Sequence, residues 1–199
     1  MIDENKCIQE ISKGNEKALK DLYDLYSQKV YNTILSYTKN EEDAQELLQD
    51  VFVTVYNSAG SFKFNSSVST WIYRISINKS IDFIRKKDTR NRKGLLSLFK
   101  PGSTQIEHDV EDFAHPGVRM EQKEDAKLLF KVIDELSENQ KTAFILTQVE
   151  GLSQQETADI MEITRKAVES LVQRAKANLR KSLEKYFPNR GDSQKNTTK

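Results

Sequence analysis

Apolar residues in the first half of the chain recur at steps of three and four, the period of an amphipathic helix. Beyond Asn15, the residues Leu19, Leu22, Tyr23, Tyr26, Val30, Ile34 and Tyr37 share one face. Asn15 can cap that helix, with Glu16 in its first turn, where negative charge suits the helix dipole. Asn40 caps a second helix whose start carries Glu41, Glu42 and Asp43. Its apolar face is Ala44, Leu47, Leu48, Val51, Phe52, Val55 and Tyr56, and Ala59-Gly60-Ser61 closes it. Residues 62–69 are small, polar and partly aromatic, and read as a loop. A third helix is predicted from about residue 70 to about residue 87, carrying Ile72, Ile75, Ile77, Ile81, Phe83 and Ile84. The β-branched content would suit a strand, but the length and the lack of Gly or Pro favour a buried helix.

From Asp88 to about Gly117 the periodicity dissolves into a segment holding Pro101-Gly102, Pro116-Gly117 and an acidic run. Such a segment reads as a flexible linker. It contains one apolar island, Leu95, Leu96, Leu98 and Phe99. Helical patterning resumes at Ala126, Leu129, Phe130, Ile133 and Leu136. Ser137-Glu138-Asn139-Gln140 and Ser153-Gln154-Gln155-Glu156 both match the capping box, in which Ser and the residue three later satisfy each other's free amides. The second box opens two short helices joined by a tight turn, the later one polar at its start and basic at its end. That is the layout of a helix-turn-helix, whose second helix can lie in a DNA major groove. Ala158, Ile160, Met161, Ile163, Val168, Leu171, Val172 and Ala175 form its expected core, and Thr164 caps its second helix. The expected fold class is all-α: two small helical domains, residues 1–93 and 123–187, joined by a linker over 94–122. A polar tail, 188–199, is expected to be disordered.

Composition sharpens this picture in three places. Only seven glycines and three prolines occur in 199 residues, which disfavours a turn-rich β fold. A single cysteine, Cys7, excludes an internal disulfide, and His108 and His115 are the only histidines, so the chain offers no obvious metal set. The first residues lack the basic start and apolar core of a signal peptide, and no apolar run approaches the roughly 20 residues that span a bilayer. A cytoplasmic protein without membrane insertion, cofactor or small-molecule substrate is expected. With Glu46 and Asp50 the best pair of carboxylates on offer, and no phosphate loop or nucleophile–His arrangement, it is expected not to be an enzyme.

Net charge is only +1, so charge matters locally. Between Trp71 and Lys93 eight basic side chains face two acidic ones. Trp71, Arg74, Asn78, Asp82 and Arg85 share a helix face there. Such a stripe can neutralise backbone phosphates, and Phe62, Phe64, Trp71 and Tyr73 offer flat faces for unpaired bases. The plain alternative is that these aromatics are core and the basic residues a solvated helix end. A second basic surplus, seven against two, runs from Arg165 to Lys185. With the core positions removed, Arg165, Lys166, Glu169, Ser170, Gln173, Arg174 and Lys176 are left for DNA.

The order of these features is itself informative. Asp43-Ala44-Gln45-Glu46-Leu47-Leu48-Gln49-Asp50-Val51-Phe52, then Ser61-Phe62, then residues 69–82 around Trp71 resemble region 2 of bacterial sigma factors, most of all the small extracytoplasmic-function (ECF) group. The stretch from Leu136-Ser137-Glu138-Asn139-Gln140 to Arg180 resembles their region 4. The resemblance implies that Glu46, Gln49 and Asp50 bind core RNA polymerase. It implies that the loop with Phe62, Phe64 and Asn65 receives a flipped base of the minus-ten element. Trp71, Arg74, Asn78 and Arg85 would line the path of the melting duplex, where pockets for extruded bases offset lost stacking. The helix from Arg165 would read the minus-thirty-five element, Arg and Gln at base edges and lysines at phosphate. An anti-sigma protein is a further implied partner. The chain departs from the family pattern at Glu169 and Leu171, where basic residues are frequent, and at Glu162, a turn position commonly held by Gly. The competing reading is a stand-alone helix-turn-helix regulator that binds duplex DNA without polymerase.

Overall fold

In the computed structural model, residues 2–97 and 123–186 are described, and among them every regular element is helical. The chain divides into two units, the break falling between His115 and Pro116. The expected tail and nearly all of the expected linker lie outside the described residues.

The first unit is built from α1 (Glu4–Ile11), α2 (Glu16–Thr38), α3 (Glu41–Ser58), a single 3-10 turn (Ala59–Ser61) and α4 (Val68–Ser97). The Asn15 side chain accepts from the Lys17 and Ala18 amides, and that of Asn40 from the Asp43 amide, so both expected caps are formed. Ala18, Leu22, Tyr26, Val30 and Ile34 of α2 meet Ala44, Leu47, Leu48, Val51, Phe52 and Val55 of α3 in a buried core. Tyr23 and Tyr56, expected on the same faces, remain partly exposed at its rim; Tyr23 packs edge-on to Phe52 with ring centroids 4.8 Å apart.

Two features of this unit were not visible in the apolar pattern. Helix α1 precedes the first predicted element; Asp3 caps it, and Ile8 and Ile11 bury completely against the rest. Helix α4 runs to Ser97, well beyond the predicted end at Lys87. Its buried face is Val68, Ile72, Tyr73, Ser76, Ile77 and Ser80. The two buried serines return their hydroxyls to the carbonyls four residues back, each at 2.8 Å, so they cost no unpaired polar group. Their small size lets α4 lie close on its neighbours, which is why the isoleucine pattern alone misjudges the buried face. Ile75, Ile81 and Ile84 are only half-buried.

The second unit comprises α5 (Lys123–Asp134), α6 (Glu138–Phe144), one wide π turn (Ile145–Val149), α7 (Gln154–Met161) and α8 (Arg165–Glu184). Phe130, Ile133, Ala143, Ile145, Leu146, Ala158, Val168 and Ala175 are its deepest apolar side chains. The Ser153 capping box forms in full: the Glu156 amide donates to Ser153 Oγ at 3.2 Å, and the Ser153 amide to Glu156 Oε2 at 2.8 Å. The box expected at Ser137 does not form, for the Ser137 side chain makes no capping hydrogen bond. Gln140, its would-be partner, instead accepts from Asn178 Nδ2 of α8 at 3.0 Å. A tertiary contact has taken the side chain that the reciprocal half of the motif needed. Ser182 of α8 likewise donates to Glu135 Oε2 at 2.7 Å, so the second half of α8 is tied to the elements before the helix-turn-helix.

Candidate nucleic-acid interface

The first unit presents a loop, residues 62–67, between the 3-10 turn and α4. Ser67 starts α4 by accepting the Thr70 amide on its hydroxyl at 3.0 Å, while the Ser67 and Thr70 hydroxyls lie 2.8 Å apart. This capping sets Trp71 on the first turn of α4, directly beside the loop. The Phe62 ring stacks on Trp71 with centroids 4.6 Å apart and 25° between planes. Phe64 is tilted against Phe62, with centroids 4.8 Å apart and 58° between planes. Trp71 and Phe62 are half-buried, while Phe64 and Asn65 are exposed. Phe64 adopts φ +57°, a left-handed backbone that costs a bulky residue about 1–2 kcal/mol. Phe62, Phe64 and Trp71 thus form one aromatic cluster, which Tyr73 does not join. That ring, 2% exposed, is core, because position 73 falls on the buried face of α4.

Along α4 from this stack, Arg74 is half-buried and Asn78 and Arg85 are exposed. Asn78, Asp82, Arg85 and Lys86 reach solvent, so the stripe read from the sequence is a surface stripe. Lys87 pairs with Asp43 of α3 at 2.9 Å and sits over the Phe83 ring at 5.7 Å. Its charge ties α4 to α3 and contributes less to the stripe than a count of basic residues suggests. On α3, Glu46, Gln49 and Asp50 are all exposed on one face. Val53, one turn further on that face, is 57% exposed, an apolar neighbour that charge-based reading passed over.

In the second unit, α7 ends at Glu162 with φ +56°, the left-handed turn position at which glycine carries no steric penalty. The Ile163 amide closes the turn on the Ala158 carbonyl at 3.1 Å. This turn directs Ile163 outward, and it is 36% exposed instead of joining the core as expected. The core of the motif is Ala143, Ala158, Val168 and Val172, with Met161 and Leu171 packed on it. Thr164 caps α8 by accepting the Ala167 amide at 3.2 Å. Arg165, Lys166, Glu169, Gln173, Arg174 and Lys176 are then exposed along α8, and Ser170 is half-buried. Arg165 Nε also approaches Gln154 Oε1 of α7 at 3.4 Å, so its direction is set partly by α7.

Two ionisable groups stand apart from these surfaces. Burial pushes the Glu150 carboxyl, just before the motif, up to about 7. Burial, with Asp21, Asp3 and Glu4 nearby, also pushes up the Cys7 thiol, which leaves it poorly nucleophilic. Among the described residues no group of three or more His, Cys, Asp or Glu side chains could hold a metal ion. None of their helices is long and apolar enough to cross a membrane.

Comparison with known proteins agrees with both halves of this description. Residues 22–90 match the family model for Sigma-70 region 2, and residues 127–179 that for Sigma-70, region 4. The chain is similar to the ECF RNA polymerase sigma factor SigW of Bacillus subtilis, with 29% identity over 89% of this chain and 95% of the relative. It is 30% identical to SigX of the same organism, over 85% of each chain. Two solved structures share the fold. One is CnrH in complex with the cytosolic domain of CnrY, with TM-score 0.64 and 21% identity, covering 92% of this chain and 97% of that one. The other is the sigma factor RpoE in complex with the anti-sigma factor NepR from Bartonella quintana, with TM-score 0.61 and 24% identity, covering 84% and 98%. With both sigma regions matched in order, and with a relative at that identity across most of its length, the chain belongs to the ECF family of RNA polymerase sigma factors.

Proposed function

We propose that this sigma factor directs core RNA polymerase to specific promoters and opens them through the Phe62–Phe64–Trp71 cluster of its first unit. Glu46, Gln49 and Asp50 form an acidic and amide-bearing face suited to a basic surface of the polymerase. Phe62, Phe64, Asn65 and Trp71 receive a base extruded from the minus-ten element, and Arg74, Asn78 and Arg85 guide the strand that carries it. Stacking of this kind contributes about 1–3 kcal/mol per base and offsets part of the cost of melting. In the second unit, Arg165, Lys166, Glu169, Ser170, Gln173, Arg174 and Lys176 meet the minus-thirty-five element in the major groove, with Glu169 accepting from a cytosine amine. The polymerase supplies the chemistry; the sigma chain is not an enzyme and works in the cytoplasm.

The observation that carries this reading is the Phe62–Trp71 stack at the head of the basic stripe on α4. A stand-alone regulator would leave that stack without a task. Because RpoE is seen with an anti-sigma factor, we infer that an anti-sigma protein restrains this chain too. The test is transcription by the host's core polymerase over a genomic promoter library, with and without the protein. Discrete start sites that appear only with the protein are expected. Tight sequence-specific duplex binding by the protein alone, with no new start sites, would favour the regulator instead.

A further inference from the structure

Helix α8 opens against a rule that most of its neighbours follow. Helices α1, α2, α3, α6 and α7 each carry an acidic residue in the first turn, at the positive end of the helix dipole. Helix α8 carries none there and begins with Arg165 and Lys166. The dipole repels a cation at that end, and a local rule broken in this way points to a compensating partner or to a task.

One compensating group is Gln154 of α7, whose Oε1 accepts from Arg165 Nε at 3.4 Å. The two residues stand eleven apart, and each is the first of its helix. Each follows a cap that forms: Ser153 Oγ takes the Glu156 amide and Thr164 Oγ1 the Ala167 amide, both at 3.2 Å. Between the caps, the left-handed turn at Glu162 is closed by the Ile163 amide on the Ala158 carbonyl. Ala158 of α7 and Val168 of α8 share the buried core of the motif. The two backbones are thereby fixed at this corner, and side chains that reach across it meet in a set geometry. Gln154 is half-buried and Arg165 exposed. The contact therefore holds the arginine at Nε and leaves its far end open to a ligand.

A guanidinium offers five N–H donors in a planar fork. With its Nε–H engaged by Gln154, the edge that contains Nε no longer offers a bidentate partner two free donors. The edge formed by the two Nη groups still does, and its parallel donors match the O6 and N7 acceptors of guanine in the major groove.

We propose that Gln154 is a positioning residue for sequence reading at the minus-thirty-five element: it holds Arg165 at Nε so that the Nη edge meets a guanine. The inference rests on the reading of α8 as the helix that enters the major groove, where residues at the start of a recognition helix reach base edges.

The test uses the full chain in holoenzyme and duplex promoters in which each base pair of the minus-thirty-five element is replaced in turn by the other three. The readout is the affinity ratio between G·C and the best alternative at each pair. Arg165→Ala brings that ratio to one at a single pair, which identifies the pair it reads. Gln154→Met, similar in length and helix propensity but without the acceptor, lowers the ratio at that pair about threefold to tenfold, the worth of a single hydrogen bond. Ratios at the other pairs keep their wild-type values. Gln154→Glu, which still accepts from Nε, retains the ratio while its charge weakens binding to every sequence. In the Arg165→Ala background, Gln154→Met changes no ratio further. A contact that only quiets the charge at the start of α8 would lower the melting temperature in Gln154→Met and leave the ratio at its wild-type value, which would overturn the proposal. Loss of the ratio in Arg165→Ala with its retention in Gln154→Met refutes the role of Gln154 and spares the reading of α8. Equal weakening of all sequences by Arg165→Ala would make that residue a phosphate contact and also overturn the proposal. No base preference at any pair in the wild type would overturn both.

Discussion

The two surfaces proposed to meet DNA are assembled by opposite means. In the second unit the surface is one face of α8, and a few residues next to it in sequence set it up: the Ser153 box, the left-handed turn at Glu162 and the Thr164 cap. In the first unit the surface is an irregular loop and the helix start beside it, where Phe62 stacks on Trp71 nine residues later and Phe64 tilts against Phe62. A rigid helix face suits intact duplex, whose edges are in fixed places, whereas a base leaving the duplex needs a flat partner on a held loop. The difference teaches that reading and opening DNA ask for different kinds of order, local in one case and tertiary in the other.

The sharpest way to break this comparison is Trp71→Ala. Losing one stacking platform forfeits about 1–3 kcal/mol, so open-complex formation falls by about tenfold or more while duplex binding at minus-thirty-five holds. Permanganate footprinting of unpaired thymines checks the first, and a gel shift of holoenzyme on duplex the second. An equal loss in both assays would mean that the two surfaces are not separate tools.

Glu150 probes whether the second unit is limited by its own burial. Its folded pKa of about 7 lies above the ordinary value of 4.5. Below about pH 4.5 the carboxyl is protonated whether folded or unfolded, and it costs nothing. As pH rises toward 7 the unfolded chain ionises first, so stability is lost, and above 7 the whole penalty, up to about 3 kcal/mol, is present. Glu150→Gln therefore slows amide hydrogen exchange in α8 at pH 8 and flattens its dependence between pH 5 and 8, with exchange in α2 unchanged.

The smallest expected effect is at the turn. Glu162→Gly relieves a left-handed side chain and stabilises the second unit by up to about 1 kcal/mol, offset in part by the freer unfolded chain. A thermal melt followed by helicity gives the sign. A loss of stability would show that the Glu162 side chain holds the turn by more than its backbone.

The same contrast explains what was legible in the sequence. Asn15, Asn40, Ser153 and Thr164 each act on an amide two or three residues away, so their caps are visible in a short window. At Ser137 the reciprocal half of the box is lost because Asn178, far along the chain, engages the Gln140 side chain. Helix α1 shows only Ile8 and Ile11 as apolar anchors, too few for a periodic signal; the sole hint is Asp3 before them. Tyr73 and Ile163 were assigned to the wrong side of their elements, one by serines that bury a different face and one by an αL turn. The exposed residues of α3 and α8 were legible because removing a regular apolar stripe leaves them behind.

The stack at the head of α4 also has a practical consequence. Trp71 is the single tryptophan of the chain, and it lies against Phe62. The protein thus carries its own optical label beside the loop of interest, so indole emission during mixing with promoter DNA reports when a nucleobase stacks there, with no dye attached.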